Sequence, residues 1–206
     1  MNKVNLAAIL IIFVYSDGLA ANANLSKCSE IKGNVERLQC FDEITKVVGA
    51  QSPVTAVENS GDWTVQSETS KINDNTNVFL NLKSKDNIVG RSGDRVPAEL
   101  AIICREGETD ILFYFAGLFM TDNENWGRIT FRADKQPAFE YSFTKSTNNK
   151  ALGLWRDFGL DFIKSLYGVD TLLVRATPFN ESSITTEFHI AGLKNAIQPL
   201  TAACKW

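Results

Sequence analysis

Beyond residue 62 the apolar positions recur at every second residue, the period that places side chains on one face of a strand. Val78, Leu80 and Leu82 share a parity, as do Ile111, Phe113 and Phe115, and again Phe139, Tyr141 and Phe143. The runs DWTVQSET, TNVFLNLKS, PAELAIIC, TDILFYFAG, WGRITFRAD, AFEYSFTK, TLLVRATP and TTEFHIAG are short, rich in β-branched and aromatic residues, and divided by Asn, Asp, Gly or Pro clusters. This spacing predicts a mainly β domain, an antiparallel β-sandwich of about eight strands.

Two stretches break the alternation with a helical period. Over 157–168, Phe158, Phe162, Ile163 and Leu166 fall on one helical face. In GLKNAIQPLTAACKW, Leu193, Ile197, Leu200 and Cys204 do the same, with Pro199 expected to kink or shorten that helix. A third helical pattern, Ile31, Val35, Leu38, Phe41, Ile44 and Val48, precedes the strands. Between it and them, GAQSPVTAVENSG turns small and polar around Pro53 and reads as a linker.

The N-terminus has a different character. Lys3 is followed by an unbroken apolar run, Leu6 to Tyr15, and then by small residues. The run is too short to span a bilayer, which takes about 20 residues. It matches the core of a secretory signal peptide, with Ala21-Asn22-Ala23 as cleavage site and Gly18-Leu19-Ala20 as a second one. The expected organisation is a signal peptide over 1–23, a helical segment over 24–48, a linker over 49–61 and the β domain over 62–206. No later segment is long and apolar enough to cross a membrane, so the product is expected to be exported and soluble.

Export changes the reading of the cysteines. An even count in an oxidising compartment favours disulfides, and the four are Cys28, Cys40, Cys104 and Cys204. Three pairings are possible. Closeness in sequence favours Cys28–Cys40, which leaves Cys104–Cys204. A straight helix would hold Cys28 and Cys40 about 18 Å apart, and a disulfide needs Cα atoms within about 7 Å. The first pairing therefore requires a break, and Gly33-Asn34 is where the local chemistry allows one.

Charge and chemistry narrow the function. A formal net charge of −3 with 44% apolar residues argues for a real core and against nucleic acid as partner. No C-x-x-C occurs, and His189 is the sole histidine, so no zinc set is expected. His189 alternates with Phe188 and Ile190 in a strand, without G-x-S-x-G, and reads as a surface residue rather than a catalytic base. TDNENWG (121–127) has the look of a calcium loop but carries Trp126, and later Ala133, where ligands belong. It reads as a polar turn. No catalytic residue, metal or cofactor is expected. What remains is a mixed surface of Arg132, Asp134, Asn148 and Trp155, joined by Arg175 if its strand is a neighbour. Trp beside Arg and Asn is the composition of many binding surfaces.

Several blocks together resemble a known family. CSEIKGNVERLQCFDEI, Trp63, AELAIICREGETDILFYFAGLFM, RITFRAD, LLVRATPFNES and FHIAGLKNAIQPLTAACKW occur in the order seen in the VasI/TagO-like type VI secretion-associated proteins. The matching positions include Cys28, Arg37, Cys40, Trp63, Cys104, Arg132, Asp134, Arg175, Gly192, Cys204 and Trp206. The resemblance implies a periplasmic accessory protein without catalytic residues, acting on a protein partner such as the membrane complex of a secretion machine, or on peptidoglycan. Two alternatives stand beside it. One is a cell-wall hydrolase, or an inhibitor of one, working through surface carboxylates. The other is a generic exported ligand-binding β-sandwich.

Overall fold

In the computed structural model of the protein, the described residues are 31, 33, 36, 37 and 40, then 57–120 and 126–206, with the backbone alone at Trp126. The chain divides into two units, residues 1–51 and 52–206. In the first, Glu36, Arg37 and Cys40 are helical, and the Arg37 N–H donates to the Gly33 carbonyl at 2.9 Å. The expected signal peptide, the linker up to residue 56 and Cys28 lie outside the described residues. Cys40 is disulfide-bonded.

The second unit is built from nine strands. They are β1 (Thr64–Thr69), β2 (Thr76–Val89), β3 (Arg95–Arg105), β4 (Glu108–Tyr114), β5 (Trp126–Ala133), β6 (Phe139–Lys145), β7 (Ala151–Leu154), β8 (Thr171–Ala176) and β9 (Ile184–His189). Three short helices are described with them: α1 (Leu160–Ser165), α2 (Leu193–Ala196) and α3 (Gln198–Cys204). All pairings are antiparallel, and the strand order is β1-β2-β3-β4-β7-β6-β5-β8-β9.

Eight of these strands follow the expected runs; the ninth corrects the expected architecture. β7 is only Ala-Leu-Gly-Leu, too short for alternation to announce it. It pairs with β4 on one side and β6 on the other. Without β7 the ladder would fall into two separate groups, β1 to β4 and β6-β5-β8-β9. With it, the hydrogen bonding runs through one continuous sheet, so the expected pair of facing sheets is not what the pairing shows. β1 and β9 are the two edges. β2 outruns β1, which covers it only from Thr76 to Asn81. Beyond that point the side chains of β2 and β9 meet, with Lys85 Nζ 3.3 Å from Glu187 Oε1.

The concave side holds the core. Leu80, Leu100, Ile102, Ile111, Phe113, Ile129, Phe131, Phe143 and Phe188 are all fully buried. Phe113 touches Phe131, Phe143 and Phe188 at centroid distances of 5.4, 5.5 and 6.0 Å, and Phe162 of α1 meets Phe131 at 4.9 Å. Phe139 and Tyr141 share the parity of Phe143 but sit at the rim, partly exposed. In β2 the register slips between Lys83 and Asn87. There the buried Ser84 hydroxyl donates to the Asp86 carbonyl (2.7 Å) and accepts from the Ala98 N–H (2.8 Å), so a side chain replaces the lost ladder bond.

One expectation about the helices changes and another is refined. Phe158 is 80% exposed rather than on the buried face. Arg156 and Asp157 both take positive φ, turning the chain before α1 begins at Leu160, so Phe158 never joins the helical period. The stretch around Pro199 is divided as expected, at Ile197 into α2 and α3, but the proline itself sits in the first turn of α3, where its missing N–H is harmless. Leu193, Ile197 and Leu200 are buried as the pattern predicted. Cys204 at the end of α3 bonds Cys104 of β3, with Cα atoms 5.8 Å apart.

Candidate functional site

The outer face of the sheet carries the first candidate. In the middle of β3 and β4 the outward positions Ala101, Ile103, Leu112 and Tyr114 continue the apolar character of the inward ones, while Glu99, Arg105, Glu108 and Asp110 at the same parity are charged. The four apolar residues cluster with Ala151 of β7 and with Trp155, apart from the main core. Register explains the grouping, since Ala101 opposes Leu112, Leu112 opposes Gly153 and Tyr114 opposes Ala151. Ala101, Ala151 and Gly153 are buried beneath the larger side chains, and a trough opens between Ile103, Leu112, Tyr114 and Trp155.

Trp155 fills one side of that trough. An added Cβ at Gly153 would sit 2.8–3.0 Å from indole atoms Cζ2, Cε2 and Cη2, so only glycine lets the ring lie down on the strand. The indole N–H donates to Thr144 Oγ1 at 2.7 Å, fixing the orientation of the ring. The resulting groove, of about 470 Å³, runs between Trp155, Tyr114, Ile103 and the turn at Lys145–Asn148. Its rim is polar. Asn148 Oδ1 accepts from Ser146 Oγ (2.8 Å) and the Lys150 N–H (3.1 Å), leaving Nδ2 without a partner among the described residues. Asp110 Oδ1 accepts from the Arg156 N–H at 2.8 Å. Arg105 lies over the Phe79 ring at 5.7 Å and, like Lys145, makes no ion pair among the described residues. Burial raises the Tyr114 hydroxyl above the ordinary tyrosine pKa; Arg105 opposes the rise, while Glu99 and Asp110 add to it.

A second, larger cleft of about 1090 Å³ opens where β1 and β2 splay from β9. It is lined mainly by polar side chains and crossed by two pairs, Lys85–Glu187 and His189 Nδ1–Asp62 Oδ2 at 2.9 Å. His189 is exposed beside buried Phe188 and Ile190, as its parity predicted. The two pairs engage Lys85, Glu187, His189 and Asp62, and the cleft lacks the fixed indole surface that the trough provides, so the trough at Trp155 is the better candidate.

The five residues expected to form one surface fall into two sets. Asn148 and Trp155 line the trough. Arg132 and Arg175 lie exposed on neighbouring strands β5 and β8, where Arg132 opposes Leu173 and Arg175 opposes Thr130. Register sets Thr144 against Trp126 and Phe139 against Phe131, so Arg132 is at the far end of β5 from the indole, about 20 Å along the strand. Asp134 holds structure: its carboxylate accepts from the Thr171 N–H (2.8 Å) and the Asp170 N–H (3.2 Å), clamping the end of β5 to the start of β8. Arg132 Nε donates to the Gln136 carbonyl at 3.2 Å and closes the β5–β6 turn. Ile103, Arg105, Asp110 and Tyr114 were not among the expected site residues. The signal was present in AELAIIC and DILFY, which are apolar at both parities although a one-sided strand needs only one.

Among the described residues no group of three or more His, Cys, Asp or Glu is placed to hold a metal. No helix among them is long and apolar enough to cross a membrane.

Comparison with known proteins adds to this geometry. A family model described as Type VI secretion system VasI, EvfG, VC_A0118 matches residues 27–206. Among solved structures, invasion associated protein b from Bartonella henselae is similar at 14% identity and a TM-score of 0.45, covering 74% of this chain and 100% of its own. At that level the likeness carries no functional weight. No curated protein matches the chain.

Proposed function

The chain belongs to the VasI family of type VI secretion proteins, and from that premise we propose that it is an exported, periplasmic accessory protein of the secretion apparatus that works by binding rather than by catalysis. The observation that carries the proposal is the family match across residues 27–206. Two features support its finer parts. The Cys104–Cys204 disulfide suits an oxidising compartment, and the Lys3 to Ala23 pattern is that of a cleavable export signal. The binding surface in this reading is the trough around Trp155, a fixed aromatic with a polar rim. The partner is a component of the envelope, either a protein of the apparatus or the wall it traverses.

The reading is tested in a strain whose apparatus is active. The protein is expected in the periplasmic fraction with Asn24 at its N-terminus, and deleting its gene is expected to lower secretion. The full chain should restore secretion, and a chain lacking residues 1–23 should not. Retention in the cytoplasm, or secretion untouched by the deletion, overturns it.

A further inference from the structure

We propose that the Trp155 trough is a carbohydrate site, one that takes a pyranose ring of an acidic glycan. The inference deepens the binding role given above and rests on it. A sugar ring presents an apolar face of C–H bonds and an equatorial belt of hydroxyls. It therefore stacks on a flat aromatic and hydrogen-bonds at the edges, and a site for it needs a fixed ring with donors and acceptors around the perimeter. The trough supplies both. The indole is pressed onto the strand at Gly153 and locked in azimuth by Thr144, so stacking costs it little freedom; an aromatic that is already immobile loses less entropy on binding than a free one. Tyr114 and Asn148 border the platform, and Asn148 Nδ2 is an uncommitted donor among the described residues.

Charge selects among glycans. Arg105 and Lys145 line the groove without ion-pair partners among the described residues, two cations against the one carboxylate of the lining, Asp110, whose Oδ1 accepts the Arg156 N–H. A ligand carrying carboxylates answers the two cations. A protein partner is less well matched: hot spots are deep and desolvated at their centre, and this platform is shallow with a polar rim.

Calorimetry on the purified protein tests the inference with three probes: muramic-acid-containing glycan strands freed of peptide, lipid-free lipopolysaccharide core oligosaccharide, and neutral chitotetraose. Saturable binding of either acidic probe is expected, and which of the two binds identifies the source. Trp155→Ala should weaken it at least tenfold in a protein that is still folded, as judged by an unchanged far-UV circular dichroism spectrum at the assay temperature. Gly153→Ala, which keeps the indole but lifts it from the strand, should weaken it also, and Arg105→Ala should reduce its salt dependence. Absence of binding to both acidic probes, equal affinity for chitotetraose, or an unchanged Kd in Trp155→Ala overturns the proposal. Capture of an envelope protein through Trp155 without glycan binding overturns it too. The assay contains no secretion apparatus, so its failure leaves the accessory role standing, and failure in cells leaves this result standing.

Discussion

Thr186 is the residue that fits its surroundings least well. It points inward from β9, opposite Val174, at 1% exposure, and its Oγ1 has no hydrogen-bond partner among the described residues. An unsatisfied buried hydroxyl costs about 1–3 kcal/mol, while the isosteric methyl of valine costs nothing of that kind. Thr186→Val is therefore expected to stabilise the protein by about 1 kcal/mol, read as a higher urea midpoint at unchanged m-value; a lower midpoint would show that the hydroxyl has a partner after all. Tyr114 gives a pH-dependent test. Burial holds its folded-state pKa above the ordinary value near 10. Just above that value the unfolded chain releases the proton while the folded one keeps it, so the unfolded state is favoured and stability falls as pH rises. Tyr167, also raised by burial, contributes in the same direction. Between about pH 9 and 11, Tyr114→Phe should lose stability less steeply than the parent. Parallel slopes would show that Tyr114 titrates as in the unfolded chain.

Trp63 and the cystine show how segments outside the strands are tied to the sheet. Trp63 is 5% exposed just before β1, and its indole N–H donates to the Ile190 carbonyl at 3.2 Å after β9. At the same place Gly192 takes φ +84, and a Cβ there would meet the Ser60 carbonyl carbon at 2.6 Å. The two edge strands are thus fastened by their flanking residues. Near the end of the sequence α3 is short, with only Leu200 fully buried, and a helix of that length has little stability of its own. Its hold on β3 is the Cys104–Cys204 bond, which closes a loop of sequence separation 100. Replacing both cysteines by alanine is expected to cost about 2–4 kcal/mol, measured by urea denaturation. A change below about 0.5 kcal/mol, the scatter of ordinary surface substitutions, would mean that burial alone holds α3 in place.

At the scale of the molecule, the cysteines give a test that peptide chemistry can settle. With Cys104 paired to Cys204 and Cys40 disulfide-bonded, a Cys28–Cys40 staple is the expected remaining cystine, and mapping of non-reduced peptides by mass should find it; a peptide joining Cys40 to Cys204 would refute it. Much of the second unit was legible beforehand. Alternation located eight strands, because a strand that buries one face must repeat its apolar residues at period two. The same rule placed His189 outside and Phe188 within, and helical spacing found α1 and the single stretch that folds as α2 and α3. Alternation could not find β7, whose four residues carry no readable period, and β7 is what joins the two groups of strands into one sheet. Nor could it say that Asn148 and Trp155 stand apart from Arg132 and Arg175, since that follows from strand order and register. The trough itself exists because β7 brings Gly153 beside Leu112 and under Trp155. Local periodicity is a property of the chain and is written in it. Which strand lies beside which depends on pairings between distant residues, and that was decided only when the chain closed on itself.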